Sequence, residues 1–413
     1  MTEVKGTGGT GGPAARALLA ARRPFPALLA AVLLLGVAES MAGPYLVLFG
    51  ARRAHLTAFQ IGVFVSATAV SGMLVSHWLG RRYDRAPSRW PAVAAAAVAG
   101  AGYLLLTGVR AYWLLLVVAV LFLGAQQAAF PQLFAMHRGH VEGGSAMPGG
   151  GTPLLRSAWS LAWAAGPVAG GALMAWRGFD ALLPATALGL ALTTLAVLLL
   201  PAPPRPAPTS DPTSGAPSAP VAAGGTTGRS GLWAAVGAFM VFHTAMFAGS
   251  VALPLYVTED LGRPAGDVGL MFSVCALVEI PAALALLLLP ARRRHGWVIL
   301  AGMALFAGYF ALAAAATTVL ALVLAQVARG VAIAVVGALG ITYVQDALPG
   351  AAGRATTLFA NAVTAGSLVS GVAAGTVAQA LGYRWALAGC AVLAALACAL
   401  FALAERRGAS SPG

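Results

Sequence analysis

The sequence predicts an all-α membrane protein, with twelve transmembrane helices in two pseudo-symmetric six-helix bundles. Three observations predict it. The chain is 59% hydrophobic and only 9% charged, with a mean hydropathy of +0.84, whereas soluble domains carry about 25% charged residues. Its apolar residues fall into runs of the length needed to cross ~30 Å of hydrocarbon, about 20 residues each. Features of the first half also recur in the second.

Twelve apolar runs centre near Leu34, Ala67, Val98, Ala119, Ala165, Gly189, Val241, Val278, Phe306, Val331, Ala365 and Val392. The first, from Pro24 to Phe49, is too long for a signal-peptide core and contains Glu39. Most connections are short, so sequential helices are antiparallel neighbours. With the N-terminus inside, eighteen of the 25 basic residues fall on the inner side and six on the outer, while Arg329 lies within a span. Lys and Arg are retained on the cytoplasmic side, which places both termini in the cytoplasm and the chain in the plasma membrane. Arg52-Arg53 is a local exception. The net charge of +13 does not imply nucleic acid, because the arginines cap apolar runs and form no continuous basic face. Cys275, Cys390 and Cys398 lie inside apolar runs without metal or disulfide spacing.

The stretch 201-PAPPRPAPTSDPTSGAPSAP-220 holds eight of the 25 prolines and reads as a semi-extended linker. The expected division is an N-terminal tail over 1–24, a first bundle over 25–201, a linker over 202–230, a second bundle over 231–405 and a tail over 406–413. Pro44 and Pro254, near the ends of the first and seventh spans, are related by an offset of 210, as are Arg82 and Arg292. The stretches 165-AGPVAGG-171 and 369-VSGVAAG-375 align at an offset of 204, with the Gly-rich loop 143-GGSAMPGGG-151 accounting for the change. Carriers built this way hold substrate between the bundles and rock around it.

The stretch 79-LGRRYDRAPSRW-90 packs five charges into twelve residues between two uncharged runs. Its Gly80, Asp84, Arg85 and Arg89 resemble the loop-2/3 signature of the major facilitator superfamily. In span 5, Gly166, Pro167, Gly170 and Gly171 resemble that superfamily's antiporter motif, where small residues let helices approach and the proline can bend the span. The runs 130-FPQLFAM-136, 158-AWSLAWAAGP-167, 277-LVEIPAA-283 and 344-VQDALPGAAGRATTLFANA-362 resemble the sugar efflux transporter family. The resemblance implies proton-linked export of sugars or sugar-like molecules, with Asp84 latching the halves when the carrier faces outward. The alternatives are a proton-coupled drug exporter of the same fold and a non-transporting membrane sensor. No Walker loop, zinc spacing or dinucleotide fingerprint appears, so neither an enzyme nor a metal or other cofactor is expected. The expected partners are a small-molecule substrate, protons and the lipid bilayer, and the expected state is a monomer.

Ionisable groups inside a bilayer are costly and mark function by default. Glu279, near the middle of span 8, is the candidate proton-coupling group, with Arg329 of span 10 as its cation. The bland alternative is a permanent ion pair joining the two spans. Glu39 of span 1 is a second proton site or a substrate ligand. His243 of span 7 is a substrate-binding candidate able to titrate near physiological pH, the bland alternative being a structural hydrogen bond. Gln126, Gln127 and Asn361 suit sugar hydroxyls, and Trp159 and Trp163 offer faces on which a sugar ring stacks; ordinary helix packing explains any one of them equally well. Asp346, beside Gln345 at the inner end of span 10, is read as a gating or structural residue.

Overall fold

The computed structural model describes residues 24–142, 151–201, 229–286, 288 and 295–409. Most of the expected linker, the Gly-rich loop, Arg292 and all but the last residue of the N-terminal tail lie outside the described residues. The first six helices are α1 (Phe25–Arg53), α2 (Ala58–Arg85), α3 (Trp90–Gly108), α4 (Tyr112–Val141), α5 (Gly151–Arg177) and α6 (Phe179–Leu199). The second six are α7 (Ser230–Asp260), α8 (Ala265–Leu286), α9 (Gly296–Ala315), α10 (Val319–Ala347), α11 (Gly353–Leu381) and α12 (Tyr383–Arg407). Eleven of the twelve are long and apolar enough to span a bilayer on composition alone. The twelfth, α5, is diluted by serine, tryptophan, glycine and proline, residues suited to a helix that packs against protein on two sides.

Local sequence starts and stops these helices. Thr57 and Gln60 form a reciprocal capping box at the start of α2, and the Thr318 hydroxyl caps α10. Gly178 and Gly382 take left-handed φ of 62° and 94° at the α5–α6 and α11–α12 junctions, a conformation that glycine adopts without a Cβ clash. They stand 204 residues apart, the same offset as the flanking motif. Wide π turns close α1 over Phe49–Arg53 and α7 over Tyr256–Asp260, again as a corresponding pair.

Packing repeats in the same way. Helix α1 lies against α5 and α6, α2 against α4, and α3 against α4 and α6; in the second half α7 lies against α11 and α12, α8 against α10, and α9 against α10 and α12. Adding six to every helix number in the first set gives the second. Between the bundles, α5 packs on α8 and α2 on α11, two contacts that the same pseudo-two-fold exchanges.

Chain direction places the start of α1, the end of α12, the α2–α3 connection, the ends of α4 and α10 and the starts of α5 and α11 at one end of the molecule, here called the basic end. At the opposite, far end the bundles meet through glycine. A methyl group on Gly62 would strike the carbonyl oxygen of Gly371, one on Gly375 would come within 3.0 Å of Gly62 Cα, and one on Gly171 within 3.2 Å of Gly266 Cα. The Val372 amide donates to Ser66 Oγ at 3.1 Å across the same seam. Arg52 of α1 reaches α7, donating to Glu259 Oε1 at 2.7 Å and to the Thr258 carbonyl at 3.0 Å.

A side chain at Gly62 is therefore expected to pry the far end open. Overpacking of this kind costs about 1–3 kcal/mol, enough to move a two-state equilibrium by roughly five- to 150-fold. Cysteines placed at Phe59 and Gln379, where α2 and α11 touch, should crosslink readily in the parent chain and several-fold more slowly with Gly62→Leu. Unchanged crosslinking would show that this seam does not set the conformation.

Candidate functional site: polar clusters in two related bundles

Each bundle buries a polar cluster, on corresponding helices. In the first, Tyr103 of α3 donates to Gln126 Oε1 of α4 at 2.9 Å. This fixes the amide and leaves its NH2 group to donate elsewhere. Glu39 of α1 is buried, its Oε1 has no hydrogen-bond partner among the described residues, and Tyr103 lies within its electrostatic reach.

In the second bundle, Gln326 of α10 donates through Nε2 to the Tyr309 hydroxyl of α9 at 3.4 Å and to the Leu322 carbonyl at 3.1 Å. Its Oε1 accepts from Arg329 Nη1 at 3.2 Å, and Arg329 Nη2 donates to Ser250 Oγ of α7 at 2.9 Å. The guanidinium lies 4.7 Å from the Phe272 ring centre and 5.9 Å from that of Tyr309. Desolvated cation–π contacts of this kind contribute about 2 kcal/mol. Arg329 is only 5% exposed, and its Nε is unpartnered.

The permanent Glu279–Arg329 pair is not formed. No hydrogen bond or ion pair involves Glu279 among the described residues. It stands partly buried on α8, with Arg329 and Arg156 as the cations whose fields reach it. A buried charge left without a direct partner is expensive.

Other expected residues sit as follows. Trp159 lies in an aromatic ladder between α4 and α5, with ring centres 4.1 Å from Phe130 and 6.2 Å from Trp163. Trp163 is exposed at the ladder's end, and Gln127 and Asn361 are exposed on α4 and α11. His243 is enclosed by Phe242, Phe247 and Phe359, and its Nδ1 lies 2.7 Å from the Phe239 carbonyl.

The antiporter-like motif packs as its small residues require. A Cβ on Gly166 would strike Ser40 and one on Gly170 the Met41 carbonyl, both on α1. Tyr45 of α1 donates to the Pro167 carbonyl at 2.8 Å, where Gly269 of α8 also approaches. Three helices from both bundles thus meet at the motif.

At the basic end, Asp84 and Arg85 are exposed, and Asp84 has no side-chain partner among the described residues. Arg89 acts locally, donating to the carbonyls of Leu198 and Leu200 at 2.8 and 2.9 Å and capping the end of α6. A Cβ on Gly80 would meet nothing within 4 Å, and Asp346 is exposed near the end of α10.

The sequence reading missed Tyr103, Tyr309, Gln326 and Ser250. A signal was present for three of them. Ala-Gly-Tyr occurs at 101–103 and again at 307–309, and Ala-Gln at 125–126 and again at 325–326.

Two homologous bundles enclosing unpaired polar groups define a secondary carrier rather than a sensor with a single fixed core. The family comparison specifies the class. The Major Facilitator Superfamily model matches residues 2–147, 149–295 and 237–412, and the chain belongs to that superfamily, among its sugar efflux transporters. A Deinococcus radiodurans protein named "Putative sugar efflux transporter" is 39% identical over 381 residues, covering 91% of this chain and 97% of the relative. "Sugar efflux transporter A" of Escherichia coli is 28% identical over 386 residues, covering 90% and 94%. Among solved structures, the nucleoside transporter NupG superposes with a TM-score of 0.72 at 14% identity, covering 93% of this chain and 98% of NupG. That likeness concerns the fold alone.

Proposed function

We propose that this carrier exports sugars or sugar-like molecules across the plasma membrane by alternating access, driven by protons moving the other way. The observation that carries the reading is Glu279, a partly buried carboxyl on an interbundle helix, reached by the fields of Arg329 and Arg156 but tied to neither. A coupling acid must be able to give up its proton on one side and regain it on the other, and a locked ion pair would prevent that. Glu39, buried with a free oxygen in the opposite bundle, is the second candidate. Substrate lies between the bundles, where the free amide hydrogens of Gln126 together with Gln127, Asn361 and the faces of Trp159 and Trp163 match the hydroxyls and flat apolar face of a sugar. His243, held by its own helix, serves substrate indirectly by shaping the wall. These polar groups favour a sugar over a greasy drug.

The tight far end and exposed Asp84 support an inward-facing state, with the far end outside and both termini cytoplasmic. The far-end arginines that offend the charge bias are tied down. Arg52 pairs with Glu259, Arg53 with Asp180, and Arg263 with Asp267 at 3.0 Å. Closing the basic end would bring Asp84 and Arg85 to the other bundle as a latch, with Asp346 at the same mouth. The carrier works as a monomer.

Three experiments test this. Glu279→Gln cannot titrate, so pH-driven accumulation of sugar in everted vesicles should fall by about tenfold or more, equivalent to ~1.4 kcal/mol, while binding to purified protein persists. Accumulation that still follows the gradient would make Glu279 structural and Glu39 the coupling acid.

Asp84→Asn keeps size but removes charge. Transport should drop sharply at unchanged protein level and substrate binding; transport equal to the parent would leave Asp84 a solvated loop residue.

For topology, single cysteines in a cysteine-free background should react differently with an impermeant maleimide on intact cells. Thr317→Cys at the far end should label and Ser214→Cys should not. The reverse pattern would overturn the orientation and the export direction with it.

A further inference from the structure

The arginines of the α2–α3 connection do more than orient the chain. Val70, Leu74 and Trp78 recur every four residues along α2 and are 41, 59 and 63% exposed. Large apolar side chains exposed in a row on a spanning helix face lipid. Arg81, Arg82 and Arg85 follow at three, four and seven residues beyond Trp78, continuing that stripe past the indole. A tryptophan followed by arginine is the order found where a helix leaves hydrocarbon for the headgroup layer.

The four side chains also make a pocket. A cavity of about 200 Å³ is lined by Trp78, Arg81, Arg82, Arg85 and Ala86. None of the three guanidinium groups makes a hydrogen bond or ion pair among the described residues, and all three are exposed. Like charges at this helical spacing repel. The end of a helix favours cations, but three of them in two turns, with only Asp84 among them, still lack a hydrogen-bonded counter-anion among the described residues. Arg89, the fourth arginine of the stretch, is already used on the α6 carbonyls.

We propose that this pocket binds the phosphate headgroup of an anionic lipid, in the leaflet at the basic end. The indole rests on the glycerol and upper acyl region, and the guanidinium forks take the phosphate oxygens. A lipid seated there lies beside Asp84 and quenches the positive field around it. The anionic lipid content of the membrane then regulates how readily the basic end closes.

The test uses the purified full chain. Native mass spectrometry should show phosphatidylglycerol retained over phosphatidylcholine by about tenfold, as expected for a few arginines meeting an anionic headgroup. Arg81→Gln combined with Arg82→Gln should abolish the preference. Inorganic phosphate at millimolar concentration should not displace the lipid. In nanodiscs, the fluorescence component lost in Trp78→Phe should be quenched more by brominated phosphatidylglycerol than by brominated phosphatidylcholine, a readout that needs no arginine variant. Equal retention of the two lipids, a preference unchanged in the double variant, displacement by free phosphate, or equal quenching would each overturn the proposal.

Discussion

Hydrocarbon offers no hydrogen bond and no counter-charge, and the rest of this structure follows from that. Backbone groups close on themselves in twelve helices. Side-chain groups that remain charged must be answered by protein, by water in a cavity, or by a ligand. Arg329 shows how far the protein goes. Gln326, Ser250 and the Phe272 ring each engage the guanidinium, yet Nε remains free. Glu39 is answered even less completely in the other bundle. Such incompleteness is tolerable in a machine whose groups change partners as it moves, and wasteful in a static scaffold.

Duplication supplies the machine's geometry at little cost in information. One set of helix contacts, applied twice, builds both bundles, and the pseudo-two-fold between them generates both interbundle seams. The halves have diverged mainly where chemistry is needed. The Tyr–Gln pair is retained on α3 and α4 and on α9 and α10, while the charged group beside it is an acid in one half and a base in the other. That asymmetry gives the interior a polarity that two identical halves could not have.

The spans were legible in the sequence because lipid imposes a length and an apolarity on each. Even α5, which length and composition alone do not mark as a span, was legible as an apolar run around Ala165. The duplication was legible through Pro44 and Pro254, and the structure adds the glycines at 178 and 382 and the paired π turns. Direct partners were not legible. Glu279 and Arg329 are the obvious pair on paper, but Arg329 points to Ser250 and Gln326, a choice made by rotamers and helix rotation that no spacing rule encodes. Arg89 was legible as part of the loop signature, but its reach to the end of α6 was not, because that depends on where α6 stops. Arg52 and Arg53 looked anomalous until Glu259 and Asp180, distant in the chain, were found beside them.

The π turns at the ends of α1 and α7 carry a consequence for how this chain can vary. Arg52 and Glu259 both lie within them. Each wide turn holds one residue more than an α turn, so each of its residues advances the helix by less than the about 100° of a regular α-helix. Losing one residue upstream of Arg52 within its turn would narrow the turn to a regular α turn and leave the apolar run almost untouched, yet shift that arginine in height and angle relative to Glu259. Variation in chain length near these two positions is therefore constrained by phase rather than by hydrophobicity, and substitutions should be accepted there far more readily than single-residue deletions.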